Sequence, residues 1–431
     1  MERWEKLDKK EKPVLIPEFG PLSGMRVLLN GTVVAAPFTA TMLSDFGAEV
    51  ISLERPKVKG DTARHQKPQI INEENGKHIS GAWLQNSRNK LSVTLETNLK
   101  KVPESKEIFL SLIKQVDVWI ENMVWIEKLG ITDEMLMEVN PQLIICHVSG
   151  FGTPKFGGEE SYLNRACYDP LAQAESGWCL LQGFPDRPPY YAQQYIGDYL
   201  SALFAVNGIL MAYIERKKTG KGQIIDCSLV ESYMRVMDDN FPLWSEMGIQ
   251  KQRQGIQNRT YQPAGIFETK DGKYINLGAY GKTAYEKCMK GFGFDLEKYS
   301  YEAAGGSEEA VMSDLGQELN KMFVDYFKSH TAKEAIKMII DLKLGAAVIN
   351  NCEDVMSDPH WQERGDWVKY EDQTLEKEVT AFGFAPKLSE TPGQVWRGAP
   401  RLGQDTDAVL TKLLEYTSEE IETLKGRGII D

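Results

Sequence analysis

Histidine and cysteine are scarce, and those present are poorly spaced for chemistry. The five histidines form no HExxH or comparable ligand pattern, so a metal site has no support in the sequence. The six cysteines, at 146, 167, 179, 227, 288 and 352, include no CxxC pair and no regular framework; they read as reduced and mostly buried. A GxGxxG turn is also missing, which disfavours a nicotinamide or flavin dinucleotide in its usual pose. Positive charge is in deficit. Fifty Lys and Arg stand against 62 Asp and Glu, a net −12, which argues against nucleic-acid partners and against adsorption to anionic membranes. The opening stretch, MERWEKLDKKEKP, has no apolar h-region, and no later run reads as a membrane span. The expectation is a cytoplasmic protein.

What is present reads as an α/β chain. At 431 residues it exceeds one comfortable core, so two domains are expected. Met25 to Asn30 reads as a strand, Pro37 to Phe46 as a helix closed by Gly47, and Ala48 to Glu54 as a second strand, together a βαβ unit. Further strands are expected at Leu91 to Glu96, Val116 to Asn122 and Gln142 to Val148, with a long helix from Gly197 to Glu215. Asp271-Gly272 centres a hairpin, and Thr331 with Glu334 opens a helix with a capping box. The expected division is a large doubly wound, Rossmann-like domain over 1–228, a linker helix over 229–244 and a smaller inserted α+β domain over 245–342. Residues 343–431 read as a connector and C-terminal segment returning to the large domain.

Three features point to the carboxyl edge of the sheet, where open α/β folds bind ligands. Arg55, Lys57, Lys59, Arg64 and Lys67 cluster after the second strand. A glycine-rich loop with Gly150, Gly152, Gly157 and Gly158 follows the strand ending in His147 and Val148; His147 reads as a satisfied core histidine rather than a base. Next comes Asp169-Pro170, directly before Leu171, Ala174, Trp178 and Leu181, which are spaced for one helical face. Asp169 is therefore expected as an N-cap. A carboxylate at the positive end of a helix stays ionised, and one kept charged is a usable nucleophile; a plain structural cap is the competing reading.

Several separated segments, among them LSGMRVLLNGTVVAAPFTATMLSDFGAEVISLE, SRNKLSVTLE, DVWIEN, CYDPLAQAESG, KKTGKGQIIDCSL and VWRGAPRLGQDTDAVL, match in order a known family. The chain resembles the class III CoA-transferases, and most the carnitine and bile-acid branch. The resemblance implies that Asp169 is the catalytic aspartate, attacking an acyl-CoA thioester to give an acyl-aspartyl anhydride and then an aspartyl-CoA thioester. It implies CoA contacts from Val34, Ala35, Arg55, Asn122, Lys128, Ser149 and Gly150, and an interlocked homodimer. CoA thioester would be a substrate, with a small carboxylic acid as partner and no permanently bound cofactor or metal. A carnitine- or crotonobetaine-like acid is expected, with Trp125, Trp178, Tyr190, Tyr191, Tyr195 and Trp244 available to face a trimethylammonium group. The alternatives are a bile acid or 2-hydroxy acid, an α-methylacyl-CoA racemase, and a non-catalytic CoA-binding protein. The racemase is disfavoured because Tyr168, not His, precedes Asp169.

Overall fold

The computed structural model describes Glu5 and residues 13–431, so all but Glu5 and Pro13 of the charged opening stretch lies outside it. The chain divides into two compact units. The first comprises the described residues up to Ser176, then Ala192–Asp238 and Glu363–Asp431.

The large unit is built on a six-stranded parallel sheet: β1 (Arg26–Asn30), β2 (Glu49–Glu54), β3 (Lys90–Thr94), β4 (Val118–Glu121), β5 (Ile144–Ser149) and β6 (Ile224–Ser228). Their order across the sheet is β3-β2-β1-β4-β5-β6, the doubly wound order with its switch point between β1 and β4. Most of these strand residues are buried, as expected where helices cover both faces. One register row runs straight across: Leu91, Ile51, Leu28, Trp119, Ile145 and Ile224. It packs in one cluster with Phe109 and Ile113 of α2 (Glu104–Gln115) and with Val409, Leu410 and Leu413 of the C-terminal helix Thr406–Leu414. Each such buried aliphatic side chain contributes about 1.5–3 kcal/mol, so this row anchors the sheet whose edge carries the site.

Four helices matter for that edge: α1 (Ala35–Ser44), α4 (Asp169–Glu175), α5 (Ile196–Thr219) and α6 (Leu229–Arg235); α3 (Asp133–Val139) lies between β4 and β5. Helix α5 corrects the membrane reading of the sequence. It is 24 residues long with a mean hydropathy of 1.3 in its most apolar stretch, enough to span by length and composition. Its buried residues, Gly197, Ser201, Ala202, Ala205, Ile209 and Ala212, follow helical spacing, and the helix packs on α1, β5 and β6. Arg216, Lys217 and Lys218 in its last turn and Gly220 at φ +72 close it.

The second unit, Gly177–Tyr191 with Asp239–Gln362, is wider than the expected 245–342. Its antiparallel sheet joins Ala264–Glu268 and Tyr274–Gly278, the expected hairpin, to Gly345–Val348, and this third strand draws the boundary past 342. Phe267 stacks on Phe327 with centroids 4.7 Å apart, beside Phe292 and Phe323. The linker helix expected over 229–244 is two helices, α6 and Asn240–Met247, and no single rod.

Candidate active site

Asp169 is 1% exposed, and it is not the N-cap. Tyr168 holds that place with extended backbone, and Asp169 opens the first turn of α4 without capping the backbone of its own helix. Its carboxylate reaches further. Oδ1 accepts the Gly197 backbone N–H at 2.6 Å and the Tyr233 hydroxyl at 2.9 Å; Oδ2 accepts the Gln173 carboxamide at 2.6 Å. The stronger claim on the carboxylate is the start of α5, where Gly197 N–H is unpaired within its own helix. A side chain at residue 197 would meet Asp169 Oδ1 at 2.8 Å and the Tyr233 ring at 2.3 Å, so glycine is required for this approach.

Each donor is itself held. Gln173 lies one helical turn after Asp169, and its carboxamide also donates to Ala192 O at 3.0 Å and accepts Ala192 N–H at 2.9 Å. That two-way pairing orients the amide so that its other hydrogen points at Oδ2. Tyr233, from α6, also accepts from Gly197 N at 2.9 Å. Burial first, then its bond to Asp169, raises the pKa of the phenol far above the usual range, so it stays a donor.

A second carboxylate stands beside the first. Asp198 follows Gly197 in α5 and accepts the backbone N–H of Ala35, the first residue of α1. Burial and then the charge of Asp169 push its pKa up to about 7. The N-termini of α1, α4 and α5 are thus joined through two carboxylates. The turn leading into α1 is strained: Val33, a β-branched residue, has φ +70, at a cost of about 1–3 kcal/mol. Its N–H is held by both oxygens of buried Asp61, at 3.0 and 3.1 Å.

The expected CoA residues lie along the carboxyl edge in several separate settings. Val34 and Ala35 are buried at the start of α1. Asn122 bridges the switch point, accepting Thr32 N–H at 2.9 Å and donating to Thr32 O at 2.8 Å. Arg55 pairs bidentately with Glu96, at 2.8 and 3.3 Å, and is therefore already engaged. Lys128 is exposed, its ammonium 4.6 Å from the centre of the Trp125 ring. Ser149 Oγ accepts Gly152 N–H at 2.8 Å, and the Gly150 carbonyl accepts from Ser228. Gly150 lies so close to Cys167 that an added Cβ would stand 2.2 Å from that residue's own.

Ser149 and Gly150 also line a cavity of about 730 Å³ at the ends of β4 and β5, together with Trp125, Phe151, Lys155 and Arg165. At its floor His147 bonds Glu121 at 2.6 Å through Nδ1 and Asp133 at 3.0 Å through Nε2. Burial lowers its pKa, but the two carboxylates outweigh it and raise it to about 10. His147 is thus an imidazolium engaged at both nitrogens, a satisfied histidine and no base. Among the described residues no cluster of His, Cys, Asp or Glu has the arrangement of a metal site.

Sequence reasoning missed Gln173, Gly197, Asp198 and Tyr233. Gln173 was legible, four residues after Asp169 on a helix. Gly197 and Tyr233, 28 and 64 residues away, left no signal that local spacing could find.

The family model described as CoA-transferase family III matches residues 22–406. A bile acid CoA-transferase from Clostridium scindens is 33% identical over 96% of this chain and 90% of its own length. The alpha subunit of a succinyl-CoA–L-malate CoA-transferase from Chloroflexus aurantiacus is 32% identical, covering 95% of this chain and 92% of its own. Among solved structures, a CAIB/BAIF family protein from Brucella suis superposes with a TM-score of 0.78 at 26% identity, over 92% of this chain and 100% of its own.

Proposed function

The chain belongs to CoA-transferase family III, and from that premise we propose that it moves CoA from an acyl-CoA to a free carboxylic acid through covalent intermediates on Asp169. The observation that carries this reading is a buried carboxylate held by three donors that are all neutral: Gly197 N–H, Tyr233 O–H and Gln173 N–H. They fix its geometry without a cation to quench its charge.

In the proposed sequence an Asp169 oxygen attacks the thioester carbonyl, the C–S bond breaks, and CoA leaves as thiolate. The thiolate attacks the aspartyl carbonyl of the anhydride, releasing the first acid and leaving an aspartyl-CoA thioester. The second acid attacks that thioester, and CoA returns to the new acyl group. With Asp169 1% exposed, a neighbour must shift to admit the thioester, and Gln173 is the group seated on Oδ2. CoA thioester enters as substrate, and no step is assigned to a metal or a resident cofactor. Val34, Ala35, Asn122, Ser149 and Gly150 along the strand ends are proposed to line its path, with Arg55 and Lys128 toward its phosphates.

For the acid we propose a carnitine-like betaine, supported by the exposed rings of Tyr168 and Tyr195 flanking the starts of α4 and α5. Trp125 is withdrawn as a cage wall because Lys128 lies over its face. The names of the relatives favour a second reading, a bile acid or a 2-hydroxy acid. A homodimer in the cytoplasm is also proposed, supported by Leu203, Met211 and Ile214, exposed on α5. Intact-protein mass spectrometry after incubation with a panel of acyl-CoAs, with hydroxylamine trapping, tests the mechanism. An adduct present in wild type and lost in Asp169→Ala is expected. No adduct with any acyl-CoA would overturn it. The same panel run against carnitine, malate and a bile acid distinguishes the acids.

A further inference from the structure

The two oxygens of Asp169 are not equivalent. Oδ1 has two donors, Gly197 N–H at 2.6 Å and Tyr233 O–H at 2.9 Å, matching the two acceptor sites a carboxylate oxygen offers. Oδ2 has the single donor Gln173 at 2.6 Å and keeps one lone pair. We propose that Oδ2 is the oxygen that attacks and leaves, while Gly197 N–H and Tyr233 O–H form the oxyanion hole for the tetrahedral intermediates centred on the aspartyl carbon. The inference rests on the covalent reading and adds to it which atom reacts and what stabilises the second step.

When CoA thiolate attacks the aspartyl carbon of the anhydride, an S–C bond forms and the carbonyl pair moves onto Oδ1. Gly197 and Tyr233 already sit at hydrogen-bond distance from that atom, so no reorganisation is needed as the charge develops. Collapse returns the pair, breaks the bond from the aspartyl carbon to Oδ2, and releases the first acid carrying that oxygen. Attack by the incoming carboxylate places one of its own oxygens on the aspartyl carbon and expels CoA thiolate, which forms the new thioester and leaves that oxygen behind as the next Oδ2. Every turnover renews Oδ2 and leaves Oδ1 untouched. The helix dipole of α5, 24 residues long, adds its positive end at Gly197. Tyr233 suits this role because it remains protonated across the physiological range.

The test is an oxygen count. Wild-type enzyme is cycled with whichever acyl-CoA labels it, against that acid in free form with ¹⁸O at both carboxyl oxygens. The mass of the Asp169 peptide is then measured after many turnovers. The proposal expects one ¹⁸O in Asp169 and no second. Two would show that the oxygens interchange and would overturn it. None, during turnover, would instead remove the covalent reading itself. In Tyr233→Phe the second ¹⁸O is expected to enter, and conversion of anhydride to aspartyl-CoA to slow roughly 10²–10³-fold, while acylation by acyl-CoA stays within about tenfold. Equal slowing of both steps, or of neither, would remove Tyr233 from the oxyanion hole. The wild-type count needs no variant, so poor folding of Tyr233→Phe would not shelter the proposal.

Discussion

Two groups of buried carboxylates in the large unit are held in opposite ways. Asp45 and Glu54 each meet an arginine, Arg88 and Arg64, at 2.6 Å, as the partly buried Asp405 meets Arg397. Asp169 is as deeply buried and meets an amide N–H, a phenol and a carboxamide. The first group cancels charge and ties loops to the sheet: Arg88 also donates to Phe382 O and Gly383 O, and Arg397 to Lys90 O at 2.9 Å. The second has no cation beside it, and its three donors fix only its direction. An arginine commits a carboxylate to the fold, and Asp169 has none; neutral donors alone do not make a reactive site, since backbone N–H groups of Val33 and Ala63 hold buried Asp61 in a structural turn.

Breaking each kind of site should fail differently. Asp169→Ala is expected to lower CoA transfer about 10⁴-fold or more yet cost folding no more than about 1–2 kcal/mol, because Gly197 N–H keeps Tyr233 Oη as a partner. Transfer assays and urea melts of the same preparation check both halves. Arg88→Met should do the reverse. Leaving Asp45 buried without its cation should cost about 3–5 kcal/mol in the urea transition, while the folded fraction keeps normal turnover. Adding Asp45→Leu should recover much of that loss, since an apolar pair of similar volume replaces a buried ion pair well. Gln173→Met sits between the two groups. It removes the donor to Oδ2 and the clamp on Ala192, and a kcat loss of about 10–100-fold with a smaller change in KM is expected in steady-state kinetics.

The sheet was legible because its strands are short apolar runs bounded by turns, and β1 to β5 fall within two residues of the segments read from the sequence. A local cap was equally legible: Thr331 accepts the Glu334 backbone N–H, and Glu334 returns the bond, as its capping box predicts. Asp169 was found for a reason that only half holds. An Asp-Pro pair before a helix reads as a cap, but a cap rule sees only its own helix, and the carboxylate turned to the start of α5 instead. The same blindness hid Asp198, an ordinary first-turn acid until α1 is packed beside it. Arg55 shows the converse. Its position at a strand end was legible, but its pairing with Glu96 belongs to a contact 41 residues away.

Asp198 supplies the smallest and most specific test of the comparison, because it is a half-buried acid that also has no arginine. The charged or titratable groups acting on it are Asp169, Tyr233 and Cys167, and the Ala35 N–H offsets them only in part. Its pKa in the folded chain, about 7, exceeds the ordinary value of 3.8, so between these values the folded state binds more protons than the unfolded one. Stability contributed through this group therefore falls as pH rises from about 4 to about 7, with no further loss above. Asp198→Asn, which still accepts from Ala35, should erase that slope, leaving the variant near wild type at pH 4 and more stable at pH 8 in urea melts. In Asp169→Ala the upper end of the window should move to lower pH, because one of the two causes of the raised pKa is gone. An unchanged window would mean that burial alone sets Asp198, and that the charge of Asp169 is screened from its nearest neighbour.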